Sequence, residues 1–117
     1  KENLKSLGLT AKFKHKDITK GITEKKVDVI ILDMEDPTRA VSHAYTSLKS
    51  GGFLVCYSPQ ISQVQALIKA TEKKFYHQAT IETIQRKWIV EALRTRPEHK
   101  GLLHTAFLTF LRKVKKR

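Results

Sequence analysis

The chain has a single cysteine, Cys56, among 117 residues. Without a second thiol there can be no internal disulfide, and the place of Cys56 inside the apolar run "FLVCYSP" makes it core filler that fits a reducing compartment. There is no apolar stretch of about twenty residues and no signal-like segment, so a soluble, cytoplasmic protein is expected. The five histidines, at 15, 43, 77, 99 and 104, show none of the short paired spacings of a zinc site, and no metal is expected. A G-x-S-x-G nucleophile elbow, a G-x-x-x-x-G-K-[ST] phosphate loop and an internal repeat are likewise missing.

Negative charge is also in short supply. Lys and Arg number 23 against 11 Asp and Glu, a formal charge of +12. That balance favours a polyanionic partner, nucleic acid before membrane. The length suits one small domain with one core.

The hydrophobic periodicity predicts alternating strands and helices. "AKFKHKD" (residues 11–17) alternates small or apolar with basic residues, as a short strand does, and "VDVIILD" is a β-branched run suited to a strand buried on both faces. Asp36 is placed to cap a helix with Pro37 at its first position. Ala40, Val41, Ala44, Tyr45 and Leu48 then recur at helical spacing until "SGG". "FLVCYSP" predicts a second buried strand ended by Pro59, and Ile61, Val64, Leu67 and Ile68 predict a helix over 62–74. Residues 81–93 fit a helix through Ile81, Ile84, Trp88 and Ile89, and a strand through Trp88, Val90 and Ala92; periodicity leaves both open. "RTRPEHKG" has the composition of a polar loop, "HTAFLTFLRKV" that of a central strand antiparallel to its predecessor, and "RKVKKR" (112–117) that of a solvated basic tail. Strands alternating with helices give an α/β fold with a mainly parallel sheet and an antiparallel C-terminal strand.

Where "VDVIIL" gives way to "LDMEDP", three carboxylates fall within four positions. Asp33 and Asp36 could simply end a strand and cap a helix. Alternatively the segment is chemical, because ligands of open α/β sheets bind outside the carboxyl ends of parallel strands, where Asp17, Asp33 and Tyr57 would converge.

Four stretches decide between these: "LDMEDP", "LKSGGFLVCYSPQISQV", "RPEHKGLLHTAFLTF" and "ENLKSLGL" followed by "HKDI". Together they resemble the later part of the tRNA (adenine-58, N1) methyltransferase family, whose members have the Rossmann-like class I S-adenosylmethionine-dependent fold. The resemblance covers essentially the whole chain but not the whole family fold, since no G-x-G-x-G stretch for the cofactor loop is present. It implies that residues 1–117 are the C-terminal portion of a catalytic domain. In the family strand order 3-2-1-4-5-7-6 they would supply the contiguous block 4-5-7-6 and strand 3 without its neighbours. An uncovered edge of that kind invites a partner chain, so dimerisation, a displaced first segment or marginal stability is expected, in a family of homo-oligomers.

The resemblance also implies an activity: methyl transfer from S-adenosylmethionine to N1 of adenosine in the T-loop of tRNA, at position 58 alone or with 57. Asp33 matches the family's catalytic carboxylate, which accepts a hydrogen bond from the adenine N6 amine and strengthens as the base becomes cationic; it also faces the cofactor. Asp17 would bind the exocyclic amine of the cofactor adenine, and Tyr57 would line the pocket of the target base, which must be extruded from its stack. Arg86, Arg94, Arg96, His99 and Lys100, in or beside the late loop, are the phosphate and base-stacking candidates. Trp88 belongs in the core or a subunit interface. The fragment alone is expected to be inactive. Two other classes fit less of the motif set: a non-catalytic, basic tRNA-binding subunit, and a small-molecule methyltransferase, for which +12 has no use.

Overall fold

Val27–Leu32 forms strand β1, and its backbone pairs in parallel with β2, Leu48–Ser58, so that Leu32 lies opposite Cys56. The computed structural model in which this is seen describes residues 2–98 and 104–114, with side chains omitted at 104 and 105. Before β1 come a short helix α1, Glu2–Ser6, and a 3-10 turn, Ile18–Lys20. Between the two strands the chain makes a second 3-10 turn, Pro37–Ala40, and helix α2, Val41–Ser47. Helix α3, Ile61–Thr71, then leads to β3, Phe75–Ile84. A hairpin of β4, Trp88–Glu91, and β5, Arg94–Pro97, precedes β6, His104–Lys113.

The main sheet has the order β1-β2-β6-β3, with β6 antiparallel to both neighbours. Three strands therefore point one way and the last is reversed. This is the 4-5-7-6 block expected from the sequence. Connectivity explains it: β1 and β2 are each followed by a helical segment that returns the chain to the starting end, whereas β6 follows β3 through the β4–β5 hairpin without such a return.

Helices cover one face only. On it Leu32, Leu54, Cys56 and Leu111 pack with Ala40, Ala44, Leu48 and Leu67. Burial pushes the Cys56 thiol up to about 12, as inert core filler should be. The alternate residues of β1 and β2 face the other way, where Val29 and Ile31 are exposed and Phe53 and Val55 half-buried. Among the described residues nothing covers that face, so β1 is not the doubly buried strand its composition suggested.

Several local expectations are corrected. Residues 11–17 form no strand; they are exposed, and Phe13 is 52% accessible. A strand needs a neighbour's backbone, and β1 pairs only with β2 among the described residues, so this is the displaced first segment. The helix after Pro37 stops at Ser47, before "SGG", and "LKSGG" opens β2 through an irregular register in which Val27 faces Leu48 but Val29 faces Phe53. Residues 81–93 are strand and turn, because β3 pairs along β6 as far as Ile84 opposite His104. The supposed polar loop contains β5, whose residues pair with β4 from Trp88 opposite Pro97 to Glu91 opposite Arg94. Trp88 is 54% exposed, which removes it from the core.

The basic C-terminus likewise begins inside the sheet. Arg112 Nε donates to the Gly51 carbonyl at 3.3 Å, and Lys113 Nζ donates to the carbonyls of Tyr45 at 2.6 Å and Leu48 at 2.7 Å. Lys113 thus brings a cation to the carboxyl end of α2, where the helix dipole favours one, and lies 4.4 Å above the Tyr45 ring. The rest of the expected tail, Lys115, Lys116 and Arg117, lies outside the described residues.

Gly52 sits where the irregular register draws three segments together. A Cβ there would lie 3.0 Å from the carbonyl oxygens of Asp28 and Lys49 and 3.1 Å from Leu48 Cδ2. Two of these neighbours are backbone atoms that cannot rotate away. Gly52→Ala is therefore expected to destabilise the fold by about 1–3 kcal/mol, read as a lower urea midpoint at unchanged slope. An unchanged midpoint would refute the close approach.

Candidate active site

Leu32 is the last buried residue of β1, and the chain then turns through 33–36 before Pro37. Within that turn Asp36 accepts a hydrogen bond from the Thr38 N–H at 3.3 Å and another from the Thr38 hydroxyl. It is the cap its spacing before Pro37 implied. Asp33 is different: it is exposed and makes no hydrogen bond or ion pair among the described residues. Its own turn does not occupy it.

The register of β1 and β2 sets Asp33 level with Tyr57, one residue beyond the Leu32–Cys56 pair. Tyr57 is 39% exposed near the carboxyl end of β2. Asp17 reaches this end from the other side of the chain, since the turn Ile18–Lys20 packs against Pro37–Ala40. His43 Nε2 donates to the Thr19 carbonyl at 3.0 Å and Ser47 Oγ to that of Ile22 at 3.3 Å, which fixes the segment on α2.

Asp17 is also a local cap. Its Oδ1 accepts from the Thr19 hydroxyl at 2.7 Å and the Thr19 N–H at 3.0 Å. These bonds, the hydroxyl first, hold its carboxyl below the usual carboxylate range, and the Arg39 charge adds to them. Both bonds fall on one oxygen. The carboxylate stays anionic and exposed with Oδ2 still able to accept.

The arginines lie on a different part of the same end. Because β3 runs parallel to β1 and β2, its carboxyl end points the same way, and the β4–β5 hairpin emerges from it. Arg86 is exposed in the link before β4. Arg94 pairs with Glu91 at 3.0 Å, and Arg96 is half-buried with Nη1 donating to the Pro97 carbonyl at 3.2 Å. No bond links any of these three to Asp17, Asp33 or Tyr57. His99 and Lys100 lie outside the described residues.

Sequence reasoning missed the residue that braces the Asp33 turn. Gln63 Nε2 donates to the Glu35 carbonyl at 3.3 Å, while its Oε1 accepts from the Gln60 N–H at 3.0 Å. Gln60 and Gln63 form a reciprocal cap at the start of α3, and the Q-x-x-Q spacing after Pro59 was the available signal. An open depression of about 350 Å³ lies here, lined by Glu35, Asp36, Thr38, Ser62 and Gln63 among others. Arg39, whose charge acts on Asp17, had no such signal.

A mixed sheet of this order, with an acidic turn after β1 and helices packed on one face, is part of a class I methyltransferase fold. An S-adenosylmethionine-dependent O-methyltransferase from Thermotoga maritima superimposes with a TM-score of 0.84 and 32% identity over 99% of this chain and 45% of its own. The tRNA (m1A58) methyltransferase TrmI of Aquifex aeolicus does so with a TM-score of 0.81 and 27% identity, over 98% of this chain and 48% of its own. The chain belongs to the family described as the tRNA methyltransferase complex GCD14 subunit, whose profile matches residues 2–105. Among curated relatives, tRNA (adenine(57)-N(1)/adenine(58)-N(1))-methyltransferase TrmI of Methanocaldococcus jannaschii is 37% identical over 98 residues, which are 82% of this chain and 35% of that protein. The tRNA (adenine(58)-N(1))-methyltransferase TrmI of Thermus thermophilus is 36% identical over 95 residues, 80% of this chain and 37% of its own length. The chain thus spans little more than a third of the curated relatives it matches. No helix among the described residues is long and apolar enough to cross a membrane.

Proposed function

We propose that this chain is the C-terminal portion of a catalytic domain that methylates N1 of adenosine 58 in tRNA. The observation that carries the reading is the exposed, unengaged carboxylate of Asp33 at the carboxyl end of β1, in a family whose curated members bear that activity in their names. An acceptor held there takes a hydrogen bond from the adenine N6 amine, and the bond strengthens as N1 acquires positive charge in the transition state. Asp36 is assigned to structure, since Thr38 holds its Oδ1 through both N–H and hydroxyl as the cap of the following turn. Tyr57, level with Asp33, forms one wall for the extruded base.

S-adenosylmethionine is the methyl donor in this reading, and when bound it supplies a methyl group already activated on a sulfonium. Asp17 fits its nucleoside end, because the carboxylate is anionic, fixed by Thr19, and has an oxygen left to accept from the adenine amine. The backbone-rich loop for the rest of the cofactor has no counterpart in the sequence, so these 117 residues alone are expected not to methylate. Arg86, in the link before the hairpin, and Arg96, on the hairpin, contact the RNA at the same end of the sheet, and His99 and Lys100 are further candidates from the sequence. Arg94 joins them on release from Glu91. The open face that carries Val29 and Ile31 is the surface for further chain or for the second subunit of a homo-oligomer.

The test is transfer of radiolabelled methyl to tRNA by the chain extended to the start of its reading frame, with the product nucleoside mapped. Label in 1-methyladenosine at position 58 is the expected result. Label in another base, or none with folded protein, overturns the proposal.

A further inference from the structure

The lysines that follow the active end of the molecule along α3 are not used by anything described so far. Lys69, Lys73 and Lys74 line an open depression of about 450 Å³ between the end of α3 and the start of α2, opposite Thr38 and Ser42. We propose that this groove binds the phosphate backbone of the RNA substrate, away from the reacting base, through Lys69 and Lys73 with the Ser42 hydroxyl.

Charge carries the first part of the argument. Three ammonium groups share one concavity with a single carboxylate, Glu72. The ion pairs among the described residues are Lys14 with Glu24, Lys49 with Asp28 and Arg94 with Glu91, so none neutralises this cluster. Lys74 is partly engaged, with its Nζ 5.5 Å from the centre of the Tyr45 ring. Lys69 and Lys73 are exposed and uncommitted, and the Ser42 hydroxyl makes no hydrogen bond among the described residues. The carboxyl end of α3 accounts for lysines in its last turn. It does not account for their gathering around a hollow whose far wall offers a free hydroxyl. Point charges on flexible stems with a hydroxyl beside them suit a phosphodiester, which needs no bidentate geometry.

Position carries the second part. The depression shares Thr38 with the one beside Glu35 and Ser62, so the two follow each other along α3. The helix has 11 residues and spans about 16 Å. A strand laid in this track has phosphates at the lysines and reaches the turn bearing Asp33 a few nucleotides later. The inference rests on the proposed function only for the identity of the polyanion.

Binding of fluorescently labelled tRNA to the chain, measured between about 50 and about 200 mM salt, tests it. Lys69→Gln with Lys73→Gln is expected to lower the slope of log K against log salt by about 2 and to weaken binding roughly tenfold at low salt. Lys12→Gln with Lys16→Gln, which removes the same charge from the exposed segment 11–17, is the control and should change the slope by less than half as much. Equal effects from both pairs would reduce the groove to net charge and overturn the proposal, as would an unchanged slope in the groove variant. Perturbation of the groove's amide signals by inorganic phosphate with no change in the tRNA slope would overturn its assignment to RNA. Groove-dependent tRNA binding in an extended protein that transfers no methyl group would overturn the enzymatic function and leave this inference standing.

Discussion

Asp33→Ala, in the chain extended to the start of its reading frame, should lose at least about a hundredfold in methyl transfer to tRNA and almost nothing in stability. Removing one acceptor aimed at developing charge is worth about 3–4 kcal/mol of transition-state stabilisation. The wild-type side chain is exposed and bonded to nothing among the described residues, so its loss should move the unfolding free energy by no more than about 0.5 kcal/mol. Asp36→Ala is the instructive contrast. It removes the acceptor of both Thr38 donors and should cost about 1 kcal/mol of stability. Its activity should fall only as far as the neighbouring turn loosens. Initial rates at saturating tRNA, set beside urea midpoints, separate the two patterns. Normal turnover by the Asp33 variant would leave the enzymatic reading without its central group.

Leu54→Ala should destabilise the fold by about 3 kcal/mol, within the 2–5 kcal/mol typical of a buried leucine. Leu54 is fully buried, pairs with Ile30 on one side and Leu111 on the other, and faces the helices. Its neighbour Val55 points to the open face and is only half-buried, so Val55→Ala should cost about 1 kcal/mol or less. A small domain has a total stability of about 5–15 kcal/mol, so the first change removes a large share of it. Comparable losses from both substitutions, seen as equal shifts in urea midpoint, would show that the second face is covered in solution.

The strands and helices that bury an apolar stripe were legible in the residues. "VDVIIL" and "FLVCYS" became β1 and most of β2, Ile61, Val64, Leu67 and Ile68 lie on α3, and Asp36 with Pro37 marks a capped turn. The motif likeness also anticipated the order of the four-stranded sheet. Less legible were elements whose state depends on what lies beside them. Residues 11–17 have a strand's alternation, yet they join neither sheet among the described residues. Arg94 and Arg96 look like loop residues until β4 pairs with them, and Lys113 looks like tail until α2 ends beside it.

For the candidate site, the residue types were readable but their freedom was not. A carboxylate after a strand is equally suited to capping and to chemistry, and only the folded chain separates Asp36, with both donors of Thr38 on it, from Asp33, with none. Asp17 turned out to be both a cap and an open acceptor, because its two bonds fall on one oxygen. Gln63, which steadies the Glu35 carbonyl from another helix, is a long-range contact that no local pattern reports.

By itself the sequence determined composition-level and periodic properties: a basic chain, one small α/β core, the places of its apolar strands, and a family motif with an aspartate after the first of them. Those properties arise from each residue's own polarity and from spacing along the chain. Tertiary structure alone decided which face of the sheet is bare, which carboxylate caps a turn and which makes no bond among the described residues, and which lysines gather around a hollow. Hydrogen bonding and burial are settled between segments distant in sequence, and a donor claimed by one partner is no longer offered to another.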